Sequence, residues 1–132
     1  MARVRQGARS ADRERRVMQL VGLARRAGCV AVGTRAVKEA AGRGEAFVVV
    51  VAGDATENAR KRLHGLASRP EIEMVECGNR GSLGRAVGRQ EAVVVGIGDR
   101  GLGRRIVGEM RRHEVQARQS PSEEVDGTAD LE

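Results

Sequence analysis

The sequence predicts an α/β fold in which one central sheet has helices on both faces. Two apolar runs, FVVVVA at residues 47–52 and AVVVGI at residues 92–97, have the β-branched composition of strands buried on both faces. Segments with helical periodicity alternate with these runs, which is the pattern of a layered α/β core. The length of 132 residues allows one such domain, which we place at residues 11–113.

The first part of the chain is predicted to contain two helices and a short strand. Residues 1–10 are interpreted as a disordered basic arm, followed by a helix that Ser10 caps and Gly28 stops. Residues 29–32 are read as a brief strand, after which Gly33 opens a second helix that ends near Gly44. The first helix is indicated by apolar residues at three-to-four spacing, namely Val17, Leu20, Val21 and Ala24.

A third helix and a third strand are predicted after the first valine-rich run. Asp54 and Glu57 have the spacing of a capping box, so we expect a helix that begins there and runs to about Ser68. The segment IEMVEC at residues 72–77 alternates between apolar and charged residues, which indicates a strand with one solvated face.

The last part of the chain completes the alternation of strand and helix. Asn79 or Ser82 caps a short helix that runs through Val87. After the second valine-rich run, residues 101–113 form an amphipathic helix. Residues 114–132 are rich in acidic residues, serine and glycine, and we interpret them as a disordered acidic tail.

The charge distribution predicts a polyanionic partner. The formal net charge is +6, and Lys38 and Lys61 are the only lysines among the 24 basic residues. Residues 114–132 hold six acids against Arg118 alone, and the remainder of the chain is strongly basic. Nucleic acid is the commonest partner of such a basic body. Phe47 is the only aromatic residue, which argues against base stacking as the main binding mode.

No motif indicates a metal centre, a cofactor or a catalytic site. Cys29, Cys77, His64 and His113 lack the spacing of zinc ligands, and no serine, histidine and carboxylate form a recognisable nucleophile setting. We therefore expect no enzyme, no cofactor and no small-molecule substrate. No segment approaches the roughly 18 apolar residues of a membrane span, and no apolar run follows the basic N-terminus. These features predict a cytoplasmic protein without a membrane partner, and the lack of a sustained heptad favours a monomer.

The spacing Gly96-x-Gly98-x-x-Gly101 is typical of dinucleotide-binding turns. In such a site the glycine-rich helix is followed by a second strand, whose terminal acidic residue binds the ribose. Here the glycines lie in the last strand–helix unit, and no apolar run follows that helix. We interpret these glycines as a tight strand-to-helix turn, so a nucleotide-binding enzyme is the least favoured of the functions considered.

Three segments carry a resemblance to a known family. They are LVGLARRAGCVAVGTRAVKEAAGRGEAFVVVVAGDATENARKRL, ECGNRGSLGRAVGR and AVVVGIGDRGLGRRI. In this combination they resemble the ribosomal-protein family that binds RNA kink-turns, the ribosomal protein L7Ae and L30e type. The Leu-Gly-x-Ala-x-Gly pattern from Leu83 and the first helix are most similar to its bacterial YlxQ-like branch. The resemblance implies a three-layer α-β-α sandwich with a small central mixed sheet of about four strands.

The resemblance also implies where structured RNA binds. Family members set the N-terminus of the second helix against tandem sheared G·A pairs, while a second loop packs over a bulged nucleotide. Carried over to this chain, the groove-reading residues are Gly33, Thr34, Arg35, Ala36 and Lys38. The loop residues are Val87, Gly88, Arg89 and Gln90, and Arg25 and Arg26 at the end of the first helix extend the basic surface.

Three positions differ from the archaeal pattern of the family. Archaeal members have Asn-Glu where this chain has Arg35 and Ala36, and a lysine where it has Glu39. Ala36 removes a hydrogen-bonding side chain, and Glu39 places a negative charge near the expected phosphates. The alternative function is therefore a protein-interaction adaptor on the same fold, with only non-specific RNA affinity. Arg43, Arg60, Lys61 and Arg62 are further candidates for the basic surface, or else a solvated face.

Overall fold

The structure, a computed structural model, describes residues 2–119, with side chains described for residues 11–112. In this part of the chain, helices and strands alternate as the sequence predicts. In chain order they are α1 (Ala2–Arg26), β1 (Val30–Val32), α2 (Thr34–Gly42), β2 (Val48–Val51), α3 (Glu57–Arg62), α4 (His64–Ala67), β3 (Glu73–Glu76), α5 (Arg80–Ala86), β4 (Val94–Ile97) and α6 (Arg100–Gln119).

The strands form one mixed sheet in the order β1-β4-β2-β3. β4 is antiparallel to both of its neighbours, whereas β2 and β3 are parallel. Val95 pairs with Val32 at the end of β1, and Val94 pairs with Val51 at the end of β2. The ends of β1, β2 and β3 therefore meet the start of β4 at one end of the sheet, which we call the α2 end because α2 begins there.

Helices cover both faces of the sheet, which confirms the three-layer sandwich. One face packs against α1, α5 and α6, and the other packs against α2, α4 and the buried Leu63 that joins α3 to α4. β2 serves both cores, because Val48 and Val50 face the first layer while Val49 and Val51 face the second. This double burial is the physical reason why the run is continuously apolar.

The short helix α5 begins in a complete capping box. The Asn79 side chain accepts a hydrogen bond from the Ser82 N–H at 2.8 Å, and the Ser82 hydroxyl accepts one from the Asn79 N–H at 3.0 Å. Both residues that the sequence offered as caps therefore take part, one at the N-cap and one at the third helical position.

The predicted cap at Asp54 is wrong. The N-cap of α3 is Thr56, whose hydroxyl accepts from the Ala59 N–H at 3.2 Å. Asp54 instead accepts hydrogen bonds from the Arg80 N–H at 2.9 Å and from its Nε at 3.4 Å. The third helix is also two short helices, which are joined at the buried Leu63.

The two termini differ from the predicted boundaries. α1 already begins at Ala2, whereas residues 1–10 were predicted to be a disordered arm. Residues 2–9 are rich in the helix formers alanine, arginine and glutamine, so the helix extends upstream of Ser10. α6 continues to Gln119, and residues 120–132 of the predicted acidic tail lie outside the described residues.

Candidate nucleic-acid interface

The groove-reading segment begins at the α2 end of the sheet. The Gly33 N–H donates to the Val94 carbonyl oxygen at 2.9 Å, which fixes the start of α2 beside the start of β4. Gln90 precedes Val94 by four positions, so about 14 Å of extended chain at most separates this point from the predicted loop at residues 87–90. The two predicted RNA-contacting segments are therefore neighbours in the fold.

Gly33 has a backbone conformation that suits glycine alone. Its φ is 96° and its ψ is 157°, and no atom lies within 4 Å of the position that a Cβ would occupy. No side chain caps α2, so its first-turn N–H groups have no side-chain acceptor. The N-terminus of α2 therefore combines an open approach, free amide donors and the positive end of the helix dipole.

Two exposed cations follow on the first turns of α2. The Arg35 side chain is 93% exposed, and its Nε lies 3.3 Å from Oε2 of Glu39. Such an exposed pair contributes about 0–1 kcal/mol, so the Arg35 guanidinium can leave it for a ligand. Lys38 is exposed and forms no ion pair with the carboxylates of residues 11–112. Thr34 and Ala36 are half-buried.

The loop at residues 87–90 presents two polar side chains. Arg89 and Gln90 are exposed, whereas Val87 is only 4% exposed and belongs to the core under α1. The side chain of Val87 is therefore unavailable to a ligand, and only its backbone can take part in the predicted contact. The Arg89 N–H donates to the Gly84 carbonyl oxygen at 2.8 Å, which holds the loop against the end of α5.

The end of α1 lies over this loop. A Cβ at Gly88 would be 2.5 Å from the nearest guanidinium nitrogen of Arg25, so the absence of a side chain makes room for that arginine. Arg25, Arg26 and Arg89 form no ion pair with the carboxylates of residues 11–112. The structure therefore brings Arg25 together with the predicted loop, and leaves its charge available to an anion.

Arg60 is used inside the fold. Its guanidinium donates to the carbonyl oxygens of Gly53 at 3.0 Å and Ala55 at 3.2 Å, and to the Glu76 carboxylate at 3.2 Å. The hydrogen bond to Glu76 raises the pKa of Arg60 above its ordinary value. Arg60 thus braces the loop after β2, and sequence reasoning missed this role because Glu76 is sixteen positions away.

The glycine-rich turn before α6 is filled by the protein itself. A Cβ at Gly98 would lie 2.7 Å from the Glu45 carbonyl oxygen, and the Gly98 N–H donates to the Cys29 carbonyl oxygen at 2.7 Å. The start of α6 is capped by Asp99, whose Oδ1 accepts from the Leu102 N–H at 2.8 Å. A pyrophosphate would find this amide already used and the helix start occupied by a carboxylate, so the dinucleotide interpretation has no support in the geometry.

The described residues offer few groups for metal binding, for thiol chemistry or for insertion into a membrane. The part of the chain with described side chains contains no group of three or more histidine, cysteine or acidic residues placed to hold a metal. Cys77 is buried, and this burial raises the pKa of its thiol, while Cys29 is half-buried. Among residues 2–119, no helix has both the length and the apolar composition to span a bilayer.

Comparison with known proteins identifies a family and a fold. The Ribosomal protein L7Ae/L30e/S12e/Gadd45 family matches residues 15–104, which include the whole sheet. A protein with unknown function from Bacillus halodurans is 33% identical to this chain, with a TM-score of 0.67 over 72% of this chain and 96% of its own. The Giardia lamblia 15.5kD RNA binding protein is 24% identical, with a TM-score of 0.64 over 79% and 89%. No curated protein matches the chain.

Proposed function

Because the chain belongs to the Ribosomal protein L7Ae/L30e/S12e/Gadd45 family, we propose that it is a non-catalytic protein that binds structured RNA. Its ligand is a kink-turn or a similar bent helix with tandem G·A pairs, in ribosomal RNA or in a regulatory element. The observation that carries this proposal is the uncapped N-terminus of α2, where Gly33 leaves the backbone open beside the exposed Arg35. The RNA-binding name of the Giardia relative is consistent with it.

The α2 end of the sheet acts on RNA in two ways. The first-turn amides of α2 donate to phosphate oxygens, and the missing side chain at Gly33 lets the RNA backbone come close. Arg35 donates both arms of its guanidinium to O6 and N7 of a guanine in the widened groove. Lys38, one turn further along α2, supplies a point charge for a phosphate.

The loop at residues 87–90 covers the bulged nucleotide. Arg89 and Gln90 are exposed there, and Arg25 adds a third polar group from α1. The function is fixation of a bent RNA, since a protein that binds the kinked state better than the extended state shifts the population towards the kink. No covalent step is part of this function.

A binding titration with a kink-turn RNA tests the proposal. The matched RNA has its tandem G·A pairs replaced by Watson–Crick pairs, and both titrations are run at low and raised salt. We expect a preference for the kink-turn that survives raised salt, because base contacts depend less on salt than phosphate contacts do.

Arg35→Gln is the decisive variant. It should weaken kink-turn binding by about 1–3 kcal/mol, or roughly 5- to 150-fold, as expected for loss of a bidentate guanine contact. The matched control is Arg105→Gln, which removes the same charge from an exposed position on α6. Equal losses from both variants would show that only overall charge matters.

The second candidate is a protein-interaction adaptor on the same fold. It is favoured by the ion pair between Arg35 and Glu39 and by the absence of a polar side chain at Ala36. Under this function both RNAs bind equally and lose affinity together as salt rises. That outcome would contradict the kink-turn proposal.

A further inference from the structure

A continuous groove runs between α1 and α5. Its first half is a cavity of about 580 Å³ lined by Met18, Gln19, Gly22, Leu23, Arg25, Arg26, Arg85 and Ala86. Its second half, of about 470 Å³, shares four of these residues and continues to Ala11, Glu14, Arg15 and Ser82. Arg85 belongs to both halves, so it lies at the middle of the groove.

The groove is continuous with the proposed RNA site. Arg25 lines its near end and also lies over Gly88 in the predicted loop. Arg26 lies next along the groove, with its guanidinium about 4.0 Å from the position of a Cβ on Gly22. A ligand that reaches the loop at residues 87–90 therefore meets the groove without leaving the surface.

The charges of the groove fit a polyanion. Arg25, Arg26 and Arg85 form no ion pair with the carboxylates of residues 11–112, and Glu14 is the only acidic residue among those lining the groove. Arg15 at the far end is already paired with Asp12, at 2.8 Å. Unpaired guanidinium groups in a row suit phosphate oxygens, which they bind through two parallel hydrogen bonds.

The apolar part of the groove is too small to anchor a protein partner. Leu23, at 39% exposure, is the only large hydrophobic side chain exposed among residues 11–112. Aromatic side chains are prominent among the residues that carry the binding free energy of protein interfaces, and the groove has no aromatic residue. The observations therefore favour a nucleic-acid strand as the occupant.

We propose that this groove binds the phosphodiester backbone of a single RNA strand that leaves the kink, with Arg26 and Arg85 as its phosphate ligands. The proposal rests on the proposed function, since it uses the kink-turn to bring the strand to the near end of the groove. Arg85 is the new residue in it. The sequence shows only an arginine on a short helix there, and α1 makes it part of a surface.

The test compares a short kink-turn RNA, which ends just beyond the kink, with two extended RNAs. Each extended RNA carries a single-stranded extension of about six nucleotides, on one strand in the first RNA and on the opposite strand in the second. The variant is Arg85→Gln. The matched control, Arg104→Gln, removes the same charge from an exposed position on α6.

The expected result is a change in salt dependence that appears only with the extended RNA. Loss of one single-strand phosphate contact lowers the slope of log affinity against log salt by about 0.7, which is roughly 2.6-fold between 50 and 200 mM salt. The control should leave the slope of the extended RNA unchanged, and the variant should leave the short RNA's affinity unchanged. The fold of each variant is checked by its thermal unfolding midpoint.

Each outcome decides the question. An equal slope for the variant and the control on the extended RNA overturns the groove proposal alone. Equal affinity for kinked and Watson–Crick-paired RNAs refutes the proposed function instead, and the groove proposal falls with it. A slope that drops only in the variant, and only with the extension, supports the proposal.

Discussion

Replacement of Gly33 by alanine tests the geometry on which the candidate interface depends. With φ at 96° and ψ at 157°, Gly33 lies in a region that is almost exclusive to glycine. No atom lies within 4 Å of the new Cβ, so steric overlap contributes nothing. The whole cost is backbone strain, and we expect Gly33→Ala to lower the free energy of unfolding by about 1–3 kcal/mol.

Gly42→Ala is the matched control on the same helix. Gly42 is the last residue of α2, its φ is not positive, and its Cβ position is also empty within 4 Å. Alanine there restricts the unfolded chain without straining the native one, so Gly42→Ala should raise the free energy of unfolding by about 0.4–1 kcal/mol. The added methyl group is thus expected to lower the free energy of unfolding at Gly33 and to raise it at Gly42.

Urea unfolding followed by circular dichroism measures both effects. The midpoint should fall for Gly33→Ala and rise for Gly42→Ala with an unchanged slope, which would show that stability and not the extent of unfolding has changed. RNA affinity should also fall for Gly33→Ala while the protein is still folded, because its methyl group stands where the RNA backbone approaches. An unchanged or higher midpoint for Gly33→Ala would refute the conformation assigned to Gly33.

Three further predictions concern the core, the cysteines and the ion pair on α2. Leu83→Ala, at a fully buried position, should lower the free energy of unfolding by about 2–5 kcal/mol in the same urea assay. In the native protein a thiol reagent should label Cys29 quickly and Cys77 slowly, because burial raises the pKa of the Cys77 thiol and blocks access; equal rates would contradict this. Glu39→Gln releases Arg35 from its ion pair and removes a negative charge. The affinity for the kink-turn in the titration should therefore rise by about 0.3–1 kcal/mol, which is a few-fold. An unchanged affinity would place the α2 surface away from the RNA.

β2 and β4 could be predicted because a strand that is buried on both faces consists of apolar residues. β2 and β4 lie beside each other in the middle of the sheet, and each is buried on both faces, so no polar residue interrupts them. The order of the strands was not predictable in the same way. A run of valines shows that a strand is central, but the pairing of β4 between β1 and β2 depends on how the helices pack on the two faces.

The start of α3 shows why local signals can mislead. Asp54 and Thr56 are both good capping residues, but only Asp54 has an acidic residue three positions later, at Glu57. The choice is made by Arg80, which is distant in sequence and takes both carboxylate oxygens of Asp54. A tertiary contact therefore leaves Thr56 as the cap, and no reading of local spacing could have decided between the two.

The resemblance predicts the candidate interface as two segments, and the fold shows which of their side chains are exposed. The resemblance named nine positions on α2 and on the loop, and the fold makes the two segments neighbours through the hydrogen bond from Gly33 to Val94. Val87 was an exception, because the packing of α5 under α1 turns its side chain into the core. Arg85, which we propose as a phosphate ligand, has no signal in the sequence because only α1 creates the groove that it lines.

Gly33 and Gly98 differ in whether their surroundings leave room for a ligand. Gly98 belongs to the more familiar nucleotide-binding spacing, yet its N–H is bonded to Cys29 and the space beside it is filled by the Glu45 carbonyl. Gly33 belongs to no such spacing, yet it faces open space at the start of an uncapped helix. A glycine pattern shows that a backbone comes close to something, and only the surroundings show whether that neighbour is the protein itself or a partner. By this criterion we propose the α2 end of the sheet as the RNA site, and the turn before α6 is part of the scaffold.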